Sequence, residues 1–311
     1  MTAPTVSDAR AAAVSDARPA AGHRVLAESC WQDRAAAHRS RAEEFLEPHL
    51  ARRRAGRSHP VFDFLFTYYS LRPRQLRVWH PGYGVALAGD PARRYLERTG
   101  YTRHADVVTV GRGHLQSRVG AVTFIADLLR ATASRPARFN CFGLHEWAMG
   151  YQSPTVRHAG LPLRLDTAAT DAVIESMPLR CSPFDAYRFF TEPAAVRNAQ
   201  HLTRESQSAV EQPGCVHAGM DLYKWAFKLG PLLESGLVLD CLELAADARV
   251  LDMRASPYDL RVLGFEPIAV ETPGGRRTYV QAQEAITERA APLRARLLER
   301  CLALLDTAAG E

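Results

Sequence analysis

The chain has 311 residues, of which 47% are hydrophobic and 23% charged, a composition typical of one large or two ordinary globular domains. Its formal charge of +5 permits an anionic partner such as nucleic acid, but it is far from the charge of a dedicated DNA-binding tail. No apolar run approaches the roughly 18 residues of a membrane span, and the N-terminus lacks the hydrophobic core of a signal peptide. We therefore expect a cytoplasmic protein with no membrane partner.

The first 22 residues differ in composition from the rest of the chain. They contain a short duplication, VSDAR at 6–10 and again at 14–18, in a background rich in Ala and Pro. This segment has too few large apolar groups to pack, which predicts a disordered low-complexity tail over residues 1–22. Residues 23–311 are expected to form a single mainly helical globular domain, a mainly α fold with a few short strands or hairpins.

The order of the predicted elements follows from apolar periodicity and from Pro and Gly breaks. Helices dominate, and few segments show the alternation of a strand. The predicted helices cover residues 31–54, 60–73, 120–133, 139–151, a segment that starts at 182–183, 216–229, 232–247 and 276–308. A strand is predicted at 107–110, a turn at 111–114, an edge strand at 161–165, a long polar loop at 191–212 and a loop or hairpin at 264–275.

The segment 213–231 carries a thiol, an imidazole, a carboxylate, a phenol and two amines between flanking Pro and Gly residues. In a helix, His217 and Asp221 lie four residues apart on one face, with Lys224 close to it, while Tyr223 belongs to a second, apolar face. The polar face of such a helix either lines a pocket or faces water, and the sequence leaves both alternatives open.

A second cluster places His145 and Glu146 among apolar residues. These two residues do not form the HExxH zinc motif, because position 149 is Met. A lone His in such a run is commonly a hydrogen-bonded core group, but a buried carboxylate beside it needs a partner, which favours a polar pocket. We predict that His145, Glu146, His217 and Asp221 converge on one pocket.

Several other segments offer groups that bind ligands. Tyr68 and Tyr69 either pack in the core or present hydroxyls to a cavity, and the crowded segment 72–80 suits an anion or an aromatic ring. Asp252 with Arg254 either orient each other or hold a ligand. The six cysteines show no CxxC pair, so we expect them to be reduced and mostly buried; a metal site that joins distant segments stays open for three of them, Cys141, Cys181 and Cys215.

Six motifs resemble those of an actinobacterial family named 3-methyladenine DNA glycosylase, and they cover almost all of the chain after about residue 24. They are FLFTYYS at 64–70, WHPG at 79–82, CFGLHEWAM at 141–149, EQPGC at 211–215, DLYKW at 221–225 and LDMRASPY at 251–258.

The resemblance implies DNA repair by a hydrolase that removes N-alkylated purine bases from DNA. Such an enzyme needs a pocket for the extruded base, aromatic faces, a carboxylate and basic groups for the phosphates. The chain offers Glu146 and Asp221 as carboxylates. Its aromatic candidates are Tyr68, Tyr69, Trp79, Trp147 and Trp225, and its phosphate-binding candidates are Arg72, Arg74, Arg77 and Lys224.

The alternative is a small-molecule enzyme that depends on a metal ion or haem and resembles an oxygenase, since mainly helical proteins hold such sites between facing helices. A binding protein without chemistry is a third possibility. The cofactor is unknown, and the partner is either DNA or a small-molecule substrate. The candidate catalytic or ligand residues are His145, Glu146, His217 and Asp221; the candidate substrate-binding residues are Tyr68, Tyr69, Arg72, Trp79, His80, Trp147, Arg180, Tyr223, Lys224 and Arg254.

Overall fold

The computed structural model describes residues 23–69, 72–153, 158 and 160–310. The predicted tail at 1–22 lies outside this part of the chain. The described residues are mainly helical with a small four-stranded sheet, which confirms the predicted fold class. The elements are β1 (Arg24–Leu26), α1 (Glu28–Arg54), α2 (Phe64–Thr67), α3 (Pro73–Leu76), β2 (Val85–Ala88), a 3-10 helix (Asp90–Glu97), β3 (Tyr101–His104), β4 (Val107–Val110), α4 (Arg112–Ala133), α5 (Leu144–Ala148), α6 (Thr167–Ser176), α7 (Phe184–Tyr187), α8 (Glu192–Ala195), α9 (Gln207–Val210), α10 (Val216–Lys228), α11 (Ser235–Arg254), a second 3-10 helix (Arg261–Leu263) and α12 (Pro273–Ala309).

The sheet forms one end of the described structure. Its strand order is β1-β2-β4-β3, with β1 parallel to β2 and β4 antiparallel to both of its neighbours. The indole of Trp31 in α1 donates a hydrogen bond to the carbonyl of Ala88 at 2.9 Å. This bond ties the first long helix to the end of β2, with Trp31 fully buried.

The helical core is built around the hairpin of α10 and α11. A short connection joins these two helices, so they run antiparallel, and α12 packs on both of them and on α4. Leu222, Leu239, Leu242 and Leu297 are completely buried between these helices. Burying each such side chain contributes about 1.5–3 kcal/mol relative to leaving it exposed, so this packing fixes the hairpin firmly.

The long periodic elements match their predictions and the short aromatic segments do not. The predicted helix at 60–73 is only α2, and Pro73 begins α3 instead of closing a helix, as suits a residue with no N–H at a first turn. The predicted helix at 139–151 is only α5, because Phe142 and Gly143 both have positive φ and a right-handed helix cannot run through them.

Other boundaries also moved. Helix α4 begins at Arg112, so the predicted turn at 111–114 is mostly its first turn. The predicted edge strand at 161–165 is an isolated bridge between Leu163 and Tyr258, and the predicted loop at 191–212 contains α8 and α9. Helix α11 runs without a break past residue 247, where the sequence had predicted an end.

Two observations bear on the expectations about compartment and cysteine chemistry. In the described part of the chain, none of the helices combines the length and the apolar character needed to cross a bilayer. All six cysteines are free thiols; four are buried and the other two, Cys30 and Cys141, are partly exposed.

Candidate metal centre

Three helices bring two imidazoles and one carboxylate together. His217 lies in the first turn of α10, and Asp252 lies in the last turn of α11. Because the two helices form an antiparallel hairpin, these turns are neighbours. His145 comes from α5, which packs against this end of the hairpin.

The local backbone explains how α5 reaches this position. Phe142 has φ 50° and Gly143 has φ 70°, so the chain turns sharply just before the helix starts. A Cβ atom at Gly143 would lie 3.3 Å from the Cβ of Ala255 and 3.4 Å from the ring of Tyr279. Glycine is therefore required both for its conformation and for the close approach that sets the ring of His145 beside α10.

The three side chains form a compact and buried set. One nitrogen of His145, one nitrogen of His217 and one oxygen of Asp252 all lie within 4.8 Å of one another. The two imidazole rings have centroids 4.4 Å apart and are almost perpendicular, at 87°. The residues are 4%, 8% and 0% exposed, respectively. This set can hold a metal ion, since imidazole and carboxylate are common ligands of divalent transition metals.

The contact between His145 and Asp252 is short but is not a well-formed hydrogen bond. Nε2 of His145 lies 2.8 Å from Oδ1 of Asp252, yet neither atom has a partner in hydrogen-bond geometry. Two ligands of one metal ion lie close together in this way, without a hydrogen bond between them.

A buried arginine stands behind the carboxylate. Nη1 of Arg249 donates to Oδ2 of Asp252 at 2.8 Å and to Oε1 of Glu146 at 2.8 Å. The guanidinium carbon lies 4.0 Å from the ring centroid of Phe64, which covers one face of the group. Arg249 thus fixes the orientation of Asp252 and at the same time neutralises part of the charge of the two carboxylates.

The pKa directions follow from burial and from these charges. Burial, with the nearby His145 ring, lowers the pKa of His217 to about 4, so this ring is neutral at pH 7. Burial also opposes charge on His145, but the Asp252 carboxylate outweighs it and raises the pKa of His145. Burial likewise opposes ionisation of Glu146, and the charge of Arg249 outweighs it and holds the pKa of that carboxyl well below its usual range.

A small cavity opens beside the two imidazoles. Its empty volume is about 300 Å³ including its opening to solvent, and His145, His217 and Tyr279 line it together with three cysteines. Burial raises the pKa of each thiol, so the wall they form is uncharged. The cysteines, which come from separate segments as expected, are Cys141, Cys181 and Cys215.

Asp221 belongs to a second, adjacent cluster. Its Oδ1 accepts a hydrogen bond from the hydroxyl of Tyr69 at 2.9 Å, and its Oδ2 accepts one from Nζ of Lys224 at 3.1 Å. Nζ of Lys224 also donates to Asp185 at 2.6 Å. His217, Asp221 and Lys224 are all at most 8% exposed. These three residues of the polar face of α10 therefore do not face water, whereas Lys228 at the end of the helix is exposed.

The four residues predicted to converge are brought near one another in different roles. His145 and His217 are in direct ring contact, while Glu146 is linked to Asp252 through Arg249 and acts on His145 by its charge. The charge of Asp221 acts on His217, but its two oxygens are held by Tyr69 and Lys224. The carboxylate that contacts the imidazoles is Asp252 instead.

Several predicted substrate-binding residues line the surroundings of this set. The Tyr68 hydroxyl donates to the carbonyl of Asp185, and the Tyr68 ring stacks on Phe64. Tyr223 is fully buried and its ring contacts Tyr69 edge-on. Arg180 is exposed and lies at the cavity.

Other predicted binding residues serve the packing of the core or lie on the surface. Trp147 is fully buried, and its indole donates to the carbonyl of Ala255 at 2.9 Å. The interpretation that Asp252 and Arg254 orient each other is wrong, since Nε of Arg254 donates to the carbonyl of Glu266 while Asp252 meets His145 and Arg249.

The C-terminal end of the segment 72–80, at His80, lies at the end of α11 opposite to Asp252. The backbone N–H of His80 donates to the hydroxyl of Ser235, the first residue of α11, whereas Asp252 comes 17 residues later. At 1.5 Å per residue the two ends of this stretch are about 25 Å apart. The structure therefore does not bring Trp79 and His80 to the imidazoles. Trp79 is buried, whereas Arg72 is exposed and comes three residues after Tyr69, whose hydroxyl contacts Asp221.

Sequence reasoning missed Arg249 and did not group Asp252 with the imidazoles. The available signal was an Arg and an Asp three residues apart in the helical run LELAADARVLDM at 242–253, on a different face from Glu243 and Asp247. Two opposite charges at this spacing, away from the polar face of the helix, indicate a buried pair.

The fold and this ligand set define a mainly helical protein with a buried two-histidine, one-carboxylate centre. No family model matches the chain, and comparisons with curated proteins and with solved structures give no significant match.

Proposed function

We propose that the protein is a mononuclear metal-dependent enzyme that acts on a small molecule, with His145, His217 and Asp252 as the ligands of one divalent transition-metal ion. The observation that carries the proposal is that donor atoms of these three residues lie within 4.8 Å of one another, buried and next to a cavity. Structural histidines in a core do not need a carboxylate and a second imidazole at this distance.

The distance between two of the donors fits a shared ion. Donor atoms about 2.1 Å from one ion stand about 3.0 Å apart at an angle of roughly 90° and about 3.4 Å apart at a tetrahedral angle. Nε2 of His145 and Oδ1 of Asp252 are 2.8 Å apart, closer to the first value.

The charges around the centre also favour a cation. Glu146 and Asp252 each carry a negative charge, and Arg249 supplies one positive charge to both. The remaining negative charge acts on His145. It raises the pKa of that imidazole, so the ring gains a proton more readily than a free imidazole. A divalent ion compensates the same charge, and its binding releases the proton.

Arg249 and Glu146 act in this proposal as positioning residues, which hold the metal ligands in place without binding the ion themselves. The side chain of Arg249 holds Oδ2 of Asp252, which leaves Oδ1 for the metal. Partners of this kind change metal affinity by about 10–100-fold when they are removed. Glu146 holds Arg249 in turn, so the predicted importance of Glu146 is retained here as an indirect one.

The chemistry follows from the open coordination positions. An ion held by two imidazoles and one carboxylate supplies Lewis acidity, and in the case of Fe²⁺ oxygen activation, at the positions that the protein leaves free. The enclosed space that a water-sized molecule can occupy beside the imidazoles is about 10 Å³, room for about one water molecule, so a substrate at this centre would have to be small. The proposal takes a metal ion and not haem, because the space beside His145 and His217 is narrow for a macrocycle.

The DNA glycosylase activity implied by the resemblance stays a prediction. Its candidate stacking residue Trp147 is fully buried, and its candidate carboxylates Glu146 and Asp221 are held by Arg249 and Lys224. We therefore place the metal-dependent reaction first and include base excision as one arm of the test.

The test measures metal content and affinity of the full chain. We expect about one Fe²⁺, Co²⁺ or Zn²⁺ per chain by elemental analysis and a saturable binding isotherm. His217→Ala should weaken this affinity by more than about 100-fold, since removal of a mere outer partner already has an effect near that size. His104→Ala is the control, because His104 is an exposed imidazole on β3.

Two results would contradict the proposal. One is the absence of binding for all three ions at micromolar concentration by a folded protein. The other is an affinity for metal that His217→Ala and Asp252→Asn leave unchanged. Release of alkylated purine from methylated duplex DNA in the presence of a chelator would instead support the glycosylase prediction.

A further inference from the structure

A second cavity lies at the opposite end of the α10–α11 hairpin from the candidate metal centre. Phe227 near the end of α10 and Ser235 and Val238 at the start of α11 line it. A water-sized molecule can occupy about 330 Å³ of this cavity, whereas the space beside His145 and His217 is about 10 Å³. Small-molecule sites have volumes of roughly 300–1,000 Å³. This cavity therefore has room for a small organic molecule.

The lining of the cavity is apolar in its buried part and charged only where it is exposed. Leu76 and Val238 are 4% and 8% exposed, and Phe227 is partly buried. Of the described residues that line the cavity, Glu97 and Arg98 carry the permanent charges, and both are exposed. A charged group inside would lose its water without gaining a partner of opposite charge, which is costly. The interior therefore suits an uncharged molecule.

Three imidazoles from separate parts of the chain line the same cavity. They belong to His38 in α1, to His80 in the connection before β2 and to His114 in α4. Burial lowers the pKa of each ring, and that of His80 falls to about 3, so all three are neutral at pH 7. A neutral imidazole has one donor nitrogen and one acceptor nitrogen.

The hydrogen bonds of two of these rings decide which nitrogen is left for a ligand. Nε2 of His38 lies 2.7 Å from the carbonyl oxygen of Leu76, so this nitrogen carries the proton and Nδ1 is an acceptor. Nδ1 of His80 lies 2.9 Å from the hydroxyl of Tyr101. That hydroxyl has no other acceptor within the described ranges, so it donates to Nδ1, and Nε2 of His80 is a donor.

The cavity thus offers one donor and one acceptor beside apolar surface. Neither Nδ1 of His38 nor Nε2 of His80 has a hydrogen-bond partner in the described part of the chain. The two rings are close enough for charge on His38 to lower the pKa of His80. The described residues that have the spacing of a metal site are His145, His217 and Asp252, so the rings of this cavity are not a second set of metal ligands.

We propose that this cavity is a ligand site separate from the metal centre, and that it binds a small uncharged molecule in which an apolar ring carries an amide or a similar donor–acceptor group. Nε2 of His80 donates to the oxygen of that group, and Nδ1 of His38 accepts from its N–H. Leu76, Phe227 and Val238 pack against the ring. The site does not depend on the proposed metal-dependent function, because it lies at the opposite ends of α10 and α11 from the metal ligands.

The test compares benzamide, benzoate and benzamidine, three molecules of nearly the same shape that are uncharged, negative and positive, respectively. Their binding to the full chain is measured by NMR titration at about pH 7.5, with a chelator present so that no metal ion holds the benzoate. Benzamide should bind saturably with a dissociation constant on the order of 1 mM, as is usual for so small a ligand. Each of the two ions should bind at least about 10-fold more weakly.

Two variants locate the binding in this cavity. His80→Phe removes the donor and should weaken benzamide by about 5–10-fold. Its matched control is His104→Phe, at an exposed imidazole on β3, which should leave the affinity unchanged. Val78→Phe adds a ring at a partly buried position of the lining and should weaken benzamide by at least about 10-fold, whereas Val262→Phe, at a position that is 78% exposed, should have no effect.

Three results would overturn the inference. One is tighter binding of benzoate or benzamidine than of benzamide, since the exposed charges and not the neutral interior would then select the ligand. The second is the lack of saturable benzamide binding by the folded protein up to about 20 mM. The third is an affinity that Val78→Phe leaves unchanged, which decides the matter even if His80→Phe fails to fold. None of these results bears on metal binding, and a failure of metal binding leaves this site standing.

Discussion

Replacement of Arg249 by methionine tests the charge balance on which the proposed centre depends. Arg249 is 1% exposed, and its single Nη1 contacts carboxylates that are 3% and 0% exposed. Methionine fills a similar apolar volume but removes the guanidinium that contacts both Glu146 and Asp252. Breaking a buried ion pair by removing one partner destabilises a protein by about 3–5 kcal/mol. That is a large part of the roughly 5–15 kcal/mol that stabilises a folded protein.

The destabilisation should depend on pH in a defined direction. Without Arg249, burial raises the pKa of Glu146 above its value in the unfolded chain, which is about 4.3. The unfolded state then ionises first, so the loss of stability is largest at neutral pH. It shrinks as the pH falls towards the raised pKa and the buried carboxyl takes up its proton.

The assay is urea unfolding of the full chain, with a chelator present, followed by far-UV circular dichroism at about pH 7.5 and again near pH 5. Arg289→Met is the control on the same scale, since the Arg289–Asp247 pair is about half exposed on both sides. An exposed pair contributes about 0–1 kcal/mol. A divalent ion at 100 times its Kd should return about 3 kcal/mol to the folded state of any variant that still binds it.

The reasoning is refuted if Arg249→Met and Arg289→Met unfold at the same urea concentration at neutral pH. It is also refuted if the effect of Arg249→Met grows as the pH falls. Either result would mean that Glu146 and Asp252 are not held as buried carboxylates by this guanidinium.

Two further predictions concern the packing of α12 and the sheet end of the molecule. Gly275→Ala should destabilise the fold by about 1–3 kcal/mol in urea unfolding, because a Cβ there would lie 1.9 Å from the carbonyl oxygen of Ala269. The control is Gly113→Ala in α4, where no atom lies within 4 Å of such a Cβ; this variant should be neutral or slightly stabilising. Burial, with the nearby charge of Arg98, lowers the pKa of His80 to about 3. In the unfolded state the pKa of His80 is about 6.5, so below about pH 6.5 the unfolded state takes up a proton first and the free energy of unfolding falls. At about pH 5 this loss should be at most about 2 kcal/mol. His80→Asn should remove that part of the acid sensitivity in the same unfolding assay, and an unchanged pH profile would contradict the prediction.

The elements that the sequence predicted well are those whose apolar period repeats over several turns. Helices α1, α10 and α12 lie within a few residues of their predicted bounds, since each buries a face along its whole length. The segment around α5 is equally apolar but short. There the positive φ angles of Phe142 and Gly143 decide where the helix starts, and positive φ at a phenylalanine has no signal in the sequence.

The candidate site could likewise be predicted only in part. His145 and His217 could be singled out because each is a polar group in an apolar run. Their carboxylate partner could not, because the predicted end of α11 at residue 247 separated Arg249 and Asp252 from the helix that aligns them. Which of several carboxylates meets an imidazole is decided by the antiparallel packing of α10 on α11, a tertiary contact beyond the reach of local spacing.

The number of charges buried around this hairpin is itself an argument for function. Arg249 holds Glu146 and Asp252, Lys224 pairs with Asp221, and the charges of Asp252, Asp221 and Arg249 all act on His217. Desolvation makes such pairs at best neutral for stability, and well-packed apolar residues of similar size serve the core as well or better. Stability alone therefore gives no reason for the arrangement. A bound cation would give one, because the two imidazoles and Asp252 would hold the ion while Arg249 fixes the orientation of the carboxylate.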